Sequence, residues 1–237
     1  YWMDKLSHKS IIFFITLYLS LILGFYFGED TTGGAYFDYL NQKEIVKNFS
    51  SDFLNTFLTY EDNHHRHSPI LLIYLSIFEK FNLDDVTIRF INLQIALICL
   101  LFFYQTLKVK FKNINNNHLF LFSLIFLLSP TIRSLAIWPD SRIYGLTFFI
   151  ISIYFYLLFE REKKFKFVIG NIFALALSSY ISPNFSVFSL FFFISFLNYY
   201  KFSKEILFIL IFNIILSLPV FYYIFILDVN FLKIAAI

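Results

Sequence analysis

Long apolar runs constrain the fold of this chain most strongly, because they recur from residue 10 to residue 227. A helix that crosses the roughly 30 Å hydrocarbon core of a bilayer needs about 20 residues at a rise of about 1.5 Å each. Seven segments are long enough, or nearly so, to cross a membrane. They are residues 10–27, 86–107, 118–133, 142–159, 165–181, 184–200 and 205–227.

The composition agrees with an integral membrane protein. Hydrophobic residues make up 59% of the chain and charged residues 15%, and the mean hydropathy of +0.70 exceeds that of soluble domains. These values exclude a soluble enzyme and give no indication of a nucleic-acid partner. The single cysteine, Cys99, lies in an apolar run, so the chain has no disulfide framework.

The charged loops predict the orientation of the chain. With a cytoplasmic N-terminus, the basic clusters 108–112 and 161–166 fall on the cytoplasmic side, whereas most acidic residues fall outside. The apolar segment 69–81 is short for a span, and a crossing there would move both basic clusters outside. We therefore predict a juxtamembrane helix at 69–81.

The predicted fold is an all-α, polytopic transmembrane protein with about seven spans in a single membrane domain, residues 1–237. The first span, 10–27, has no small-residue cleavage site after it, so we expect it to remain as an anchor. Residues 28–85 form a long first outer loop that contains juxtamembrane helices. Residues 86–227 hold the further spans.

The outer loop 28–85 carries most of the ionisable groups that a reaction could use. Glu29 and Asp30 follow the first span directly, which puts two carboxylates at the height of the lipid headgroups, and Asp38 follows shortly after. A solvated loop at a helix end is the alternative interpretation of Glu29 and Asp30.

A second polar cluster, residues 61–69, contains three histidines beside two acids. The histidine spacing fits neither a helical His-x-x-x-His pair nor a tetrahedral zinc pattern, so no metal ligands are assigned. The cluster instead predicts an exposed loop that places His67 near the headgroups and leads into the short helix. Ser68 is the predicted N-cap of that helix and Pro69 its first residue.

A third polar cluster, residues 131–144, joins two predicted spans on the same outer side as Asp30. An arginine at this depth is costly unless it is paired or binds an anion, and a guanidinium fits phosphate oxygens well. Arg142 is the better candidate, because it lies within two residues of Asp140 and Tyr144. For Arg133, simple extension of the side chain to the interface is an equal alternative.

In their order along the chain, these clusters resemble the membrane glycosyltransferases of the GT-C superfamily. The resemblance is to the protein mannosyltransferase-like group that uses polyprenyl-phosphate sugars, and it covers nearly the whole chain. Its marks are the acidic first outer loop, the step from His67 to Pro69, Arg89 near the start of the next span, and Arg142 two residues before Tyr144. The chain departs from the family pattern at Ser68 and Ile143, where the family has proline.

The resemblance implies transfer of a sugar from a polyprenyl-phosphate donor to a lipid, glycan or protein acceptor on the outer face of the membrane. The implied catalytic residues are Asp30 and Glu29, the donor-phosphate ligands are Arg142, Arg133 and Tyr144, and the supporting residues are Asp38, His67 and Asp140. No cofactor is assigned, and a divalent metal is left open. Members of this group are longer, so we expect the chain to be the N-terminal core of a protein truncated at its C-terminus.

The implied location is a bacterial inner membrane, with membrane lipids as neighbours and the active site facing outside. The competing interpretation is a lipid or solute transporter or flippase without catalytic activity. Transporters place polar groups within their spans, often at broken helices, whereas the predicted spans here carry little charge.

Overall fold

A computed structural model describes residues 6–31, 34–63 and 68–225 of the chain. The described residues form helices and their connections, with no strand among them. The α-helices are α1 (His8–Tyr26), α2 (Ala35–Ser51), α3 (Phe53–Leu58), α4 (Ile70–Lys80), α5 (Asp85–Lys110), α6 (Asn116–Ser123), α7 (Ile125–Leu128), α8 (Pro130–Ile137), α9 (Ser141–Glu162), α10 (Phe165–Ile181), α11 (Phe188–Tyr200) and α12 (Lys204–Phe225). Short 3₁₀ helices occur at Tyr60–Asn63 and Pro183–Phe185.

Four of these helices are long and apolar enough to cross a membrane, namely α1, α5, α9 and the Lys204–Tyr222 part of α12. A fifth crossing is counted if the bent pair formed by Asn116–Leu128 and Pro130–Ile137 is one span. The all-helical prediction is confirmed, and these helices are compatible with a multi-pass membrane protein. The predicted count of seven spans is not confirmed.

The third predicted span, 118–133, is not one straight helix. The chain bends by 65° between Leu128 and Pro130. Ser129 has an extended backbone and caps α8 with its side chain, which accepts a hydrogen bond from the Ile132 amide. Proline disfavours a helical conformation in the residue before it and lacks an amide hydrogen, so the break lies where Pro130 requires it.

The fifth and sixth predicted spans correspond to shorter helices. α10 has 17 residues, and α11 has only 13, which gives α11 a length of about 20 Å at a rise of about 1.5 Å per residue. The 3₁₀ turn Pro183–Phe185 takes up the start of the predicted segment 184–200. Pro183 begins a 3₁₀ turn after α10, so the following helix α11 is shorter than the predicted segment 184–200.

The predicted outer loop is largely helical, since it contains α2, α3 and α4. The helix predicted at 69–81 is confirmed by α4, but its predicted start is one residue early. Pro69 is the N-cap of α4, whereas the Ser68 hydroxyl donates to the Tyr180 carbonyl oxygen at 2.6 Å. Ser68 is therefore used to join the start of α4 to the end of α10.

Among the described residues, two large apolar cores and a small cluster of Cys99, Phe126 and Ile150 hold the helices together. The larger core includes α1, α2, α4, α5 and α8, and reaches the first turn of α9 through Ile143 and Tyr144. The second core lies between α9, α10, α11 and α12. The polar clusters that flank Asp30 and Arg142 lie at the edge of the larger core, where α1 ends and α9 begins.

Candidate functional site

Two distant segments, 29–38 and 133–142, run side by side and form the candidate site. Glu29 pairs with Arg133, and Asp38 pairs with Arg142, each across 104 residues of sequence. Between these pairs the Thr31 amide donates to the Ser134 hydroxyl at 2.9 Å. The first and third polar clusters therefore meet. The histidine cluster, including His67, lies outside the described residues.

The pair formed by Glu29 and Arg133 is largely buried. Arg133 Nε donates to Glu29 Oε1 at 2.8 Å and Nη2 donates to Oε2 at 2.6 Å, while the two side chains are 13% and 20% exposed, respectively. Nη2 also donates to the Ser20 carbonyl oxygen at 3.0 Å. This bidentate arrangement ties α1 to α8. It suits the pair to holding these helices together, and the catalytic role of Glu29 and the phosphate-binding role of Arg133 stay predictions.

Gly24 makes room for that pair. A Cβ atom at position 24 would lie 2.2 Å from Glu29 Oε2 and 2.9 Å from Arg133 Nη2. Both distances are shorter than van der Waals contact, so the carboxylate and guanidinium occupy the space above the glycine. The last turn of α1 thus carries a residue without a side chain where the ion pair packs against it.

The second arginine, Arg142, is more open. Asp140 caps α9 by accepting from the Arg142 amide at 2.7 Å, and the same carboxylate accepts from Arg142 Nε at 2.9 Å and Nη2 at 2.8 Å. Asp38 Oδ2 accepts from Nη2 at 3.0 Å. The Arg142 and Asp38 side chains are 49% and 52% exposed, whereas that of Asp140 is 4% exposed. One side of the guanidinium is therefore accessible.

Asp30 lies beside this group. It is close enough to Arg142 for a Coulombic interaction, and its Oδ2 accepts from the Tyr36 amide at 3.2 Å. Asp38 and Asp140 thus contact the Arg142 guanidinium directly, and Asp30 is near enough to act on it electrostatically.

Arg89 forms a further part of the site. Its guanidinium lies 3.5 Å from the Trp138 ring centroid and 5.0 Å from that of Phe25, and Nε donates to the Ile137 carbonyl oxygen at 3.2 Å. Nη2 is buried and has no hydrogen-bond partner among the described residues. The sequence pointed to Arg89 only through the family resemblance. An arginine in the first turns of an apolar run is the signal that identifies it.

A polar contact between α2 and α5 adjoins Arg89 and was not predicted. The Tyr39 hydroxyl donates to Asp85 Oδ1 at 2.6 Å, and Lys43 Nζ donates to the same oxygen at 2.8 Å. Burial raises the pKa of Tyr39, and the hydrogen bond to Asp85 raises it further. The phenol therefore remains a donor at neutral pH. Sequence spacing carries no signal for this contact, because its partners are far apart in the chain.

Tyr144, a predicted phosphate ligand, is buried instead. It is 7% exposed, and its ring packs edge-on against Tyr74 of α4 with the centroids 5.7 Å apart. The ring of Tyr144 therefore packs between α9 and α4, and its role as a phosphate ligand stays a prediction.

Among the described residues, no three His, Cys, Asp or Glu side chains are grouped so that they could hold a metal ion. No protein-family model, curated protein or solved structure matches the chain. The geometry around Asp30 and Arg142 is therefore the basis for assigning a function.

Proposed function

We propose that the chain is a glycosyltransferase that moves a sugar from a polyprenyl-phosphate carrier to an acceptor on the extracytoplasmic face of the membrane. The observation that carries this proposal is the group of Asp30, Asp38 and Asp140 around a half-exposed Arg142 at the end of long apolar helices. It combines a carboxylate base with a cation that suits phosphate. The resemblance to GT-C enzymes, which rests on the same residues, supports the same reaction.

In this proposal Asp30 accepts the proton from the acceptor hydroxyl as that oxygen attacks the anomeric carbon. The bond from that carbon to the carrier phosphate breaks, and the phosphate leaves with the electron pair. A base in this position typically contributes roughly 10²–10⁴-fold in rate. Glu29 stays bound to Arg133 and holds the Asp30 backbone in place.

Arg142 binds the leaving phosphate in this scheme. Its contact with Asp38 is exposed, and such pairs contribute about 0–1 kcal/mol, so a phosphate that carries more charge displaces Asp38 at little cost. The buried Nη2 of Arg89, beside the Trp138 and Phe25 rings, offers a second donor. The arginines supply the positive charge that a divalent metal supplies in other phosphate sites, so the scheme requires no metal.

The test is sugar transfer by the purified chain from a polyprenyl-phosphate sugar in lipid nanodiscs. We expect Asp30→Asn to lower the transfer rate by roughly 10²–10⁴-fold while donor binding persists. Glu44→Gln is the matched control, because Glu44 is an exposed carboxylate on α2 away from the cluster. Wild-type transfer by Asp30→Asn would show that the base has been misassigned.

One observation favours transport as a second candidate function. The 65° break at Ser129 and Pro130 gives the chain a discontinuous helix pair next to Arg133, a feature that many transporters use for binding. Reconstituted liposomes distinguish the two functions. Substrate flux without sugar transfer supports the transporter, and transfer without flux supports the enzyme.

A further inference from the structure

A cavity of about 560 Å³ lies between α10, α12 and the segment 183–189, away from the charged cluster. Its wall is mostly aliphatic, with Ile172, Leu175 and Val220 among the lining side chains, and none of the described residues that line it is charged. At about 30 Å³ per water-sized group, it holds roughly 15–20 non-hydrogen atoms. This is a normal size for a small-molecule site.

Most hydroxyl groups in the wall donate their single hydrogen to a backbone carbonyl oxygen. The hydroxyl-to-carbonyl-oxygen distances are 2.6 Å from Ser68 to Tyr180, 2.8 Å from Ser179 to Leu175, 2.6 Å from Ser189 to Ser186, 2.8 Å from Ser217 to Ile214 and 2.5 Å from Tyr180 to Leu216. A hydroxyl has one hydrogen but two lone pairs. These groups therefore retain the capacity to accept and have little left to donate.

Asn213 offers both kinds of group. Its Nδ2 donates one of its two hydrogens to the Ile209 carbonyl oxygen at 2.8 Å, so this lining side chain keeps one N–H donor beside its Oδ1 acceptor. The Ser186 hydroxyl makes no hydrogen bond within the described part of the chain, so it can also donate. Acceptors still outnumber donors on the described wall and no cation lies on it, so it disfavours a phosphate and favours a neutral ligand that donates hydrogen bonds.

The position of the cavity makes it accessible to lipid. α12 contains a candidate membrane span, Lys204–Tyr222, and only 11% of the residues in its 18-residue apolar stretch are buried. Its apolar side chains are therefore largely uncovered. Exposed residues such as Ile214 and Val220 lie on the wall and also reach the outer surface of the helix. A hydrocarbon chain can therefore enter from the bilayer between α12 and α10.

We propose that this cavity binds a neutral lipid with a hydroxyl-bearing head and a single hydrocarbon chain. The hydroxyls donate to the serine and Asn213 oxygens, and the first part of the chain fills the aliphatic wall. The site does not depend on the proposed transferase activity, because it shares none of the residues assigned to that reaction.

Photo-crosslinking of the purified chain tests this site. The probes are a monoacylglycerol and a lysophosphatidate that carry the same diazirine-labelled chain. We expect the monoacylglycerol to label peptides that contain Ala176 or Ser217, and the lysophosphatidate to label them at least fivefold less. Equal labelling by both lipids, or preferential labelling by the lysophosphatidate, would overturn the assignment.

Two variants locate the binding site. Ala176→Trp fills the cavity and should reduce labelling at least fivefold, whereas Ile211→Trp introduces the same side chain on the exposed face of α12 and should leave labelling unchanged. Asn213→Leu keeps the volume but removes the acceptor, so labelling should fall about fivefold even if Ala176→Trp fails to fold. Labelling that Asn213→Leu leaves unchanged would contradict the proposal.

Discussion

The two arginine–carboxylate contacts that join segment 29–38 to segment 133–142 differ in their surroundings. Arg133 and Glu29 are 13% and 20% exposed and bind each other through three hydrogen bonds. Arg142 and Asp38 are about half exposed and share one hydrogen bond. The sequence separation is the same, so burial distinguishes the two contacts.

Burial determines what each contact can do. A buried pair is costly to break, because the remaining charge stays in a poorly solvated place. An exposed pair costs little to exchange for another partner, because water solvates the released carboxylate. The contact at Arg133 is therefore suited to holding α1 against α8, and the contact at Arg142 is suited to binding a ligand.

Removing Arg133 gives the largest expected effect on stability. Arg133→Ala leaves the part-buried Glu29 unpaired, so the free energy of unfolding should fall by up to about 3–5 kcal/mol. Thermal and denaturant unfolding in detergent measure the change. The double variant Glu29→Gln with Arg133→Met should recover part of the loss, because it leaves no buried charge. A loss below about 1 kcal/mol would mean that the pair is solvated.

Gly24 allows a test of the same contact without altering a charge. Alanine stabilises a helix by about 1 kcal/mol relative to glycine, but a Cβ at position 24 would lie 2.2 Å from Glu29 Oε2. We expect Gly24→Ala to destabilise the protein by about 1–3 kcal/mol through overpacking. Gly34→Ala is the control, because a Cβ there meets nothing within 4 Å. A gain in stability from Gly24→Ala would contradict the packing of the ion pair on α1.

Arg142→Lys tests the half-exposed contact between Arg142 and Asp38. Lysine keeps the charge but loses the planar fork that binds two oxygens at once. We expect donor affinity to fall about tenfold, which corresponds to about 1.4 kcal/mol. The measurement is binding of a polyprenyl-phosphate sugar to purified protein. Lys43→Arg is a control basic substitution on α2, and an unchanged affinity of Arg142→Ala would remove the phosphate assignment.

The helices could be predicted because an apolar run is a property of neighbouring residues in the sequence. Every predicted span overlaps a helix, and the helix predicted at 69–81 is present as α4. Their lengths were less predictable. Pro130 breaks the helix within segment 118–133, and the turn that begins at Pro183 shortens the helix in segment 184–200. Neither proline changes the hydropathy of its segment much, so a count of apolar residues alone overestimates the lengths of these helices.

The site could be predicted only in part. Acids after the first predicted span and arginines near the start of the fourth indicated two segments that the structure brings together. The choice of partner for each charge depends on packing between residues about a hundred positions apart, for which the sequence has no local signal. Glu29 and Arg133 look as available as Asp30 and Arg142 in the sequence, and only their burial separates them. The surroundings of the Arg89 guanidinium likewise come from distant segments, because it lies against the rings of Phe25 and Trp138.

We expect the smallest effect from Asp38→Asn, and its comparison with Asp30→Asn tests which of the two acids is the base. Asp38→Asn removes the charge of an exposed pair, so the free energy of unfolding should change by less than about 1 kcal/mol. Because the substitution also removes a competitor for Arg142, donor affinity should stay the same or rise slightly, and transfer should fall far less than with Asp30→Asn. Parallel unfolding, binding and transfer measurements on the two variants make the comparison. If Asp38→Asn abolished transfer while Asp30→Asn did not, Asp38 would be the base, and the open contact with Arg142 would hold that base in place instead of giving way to phosphate.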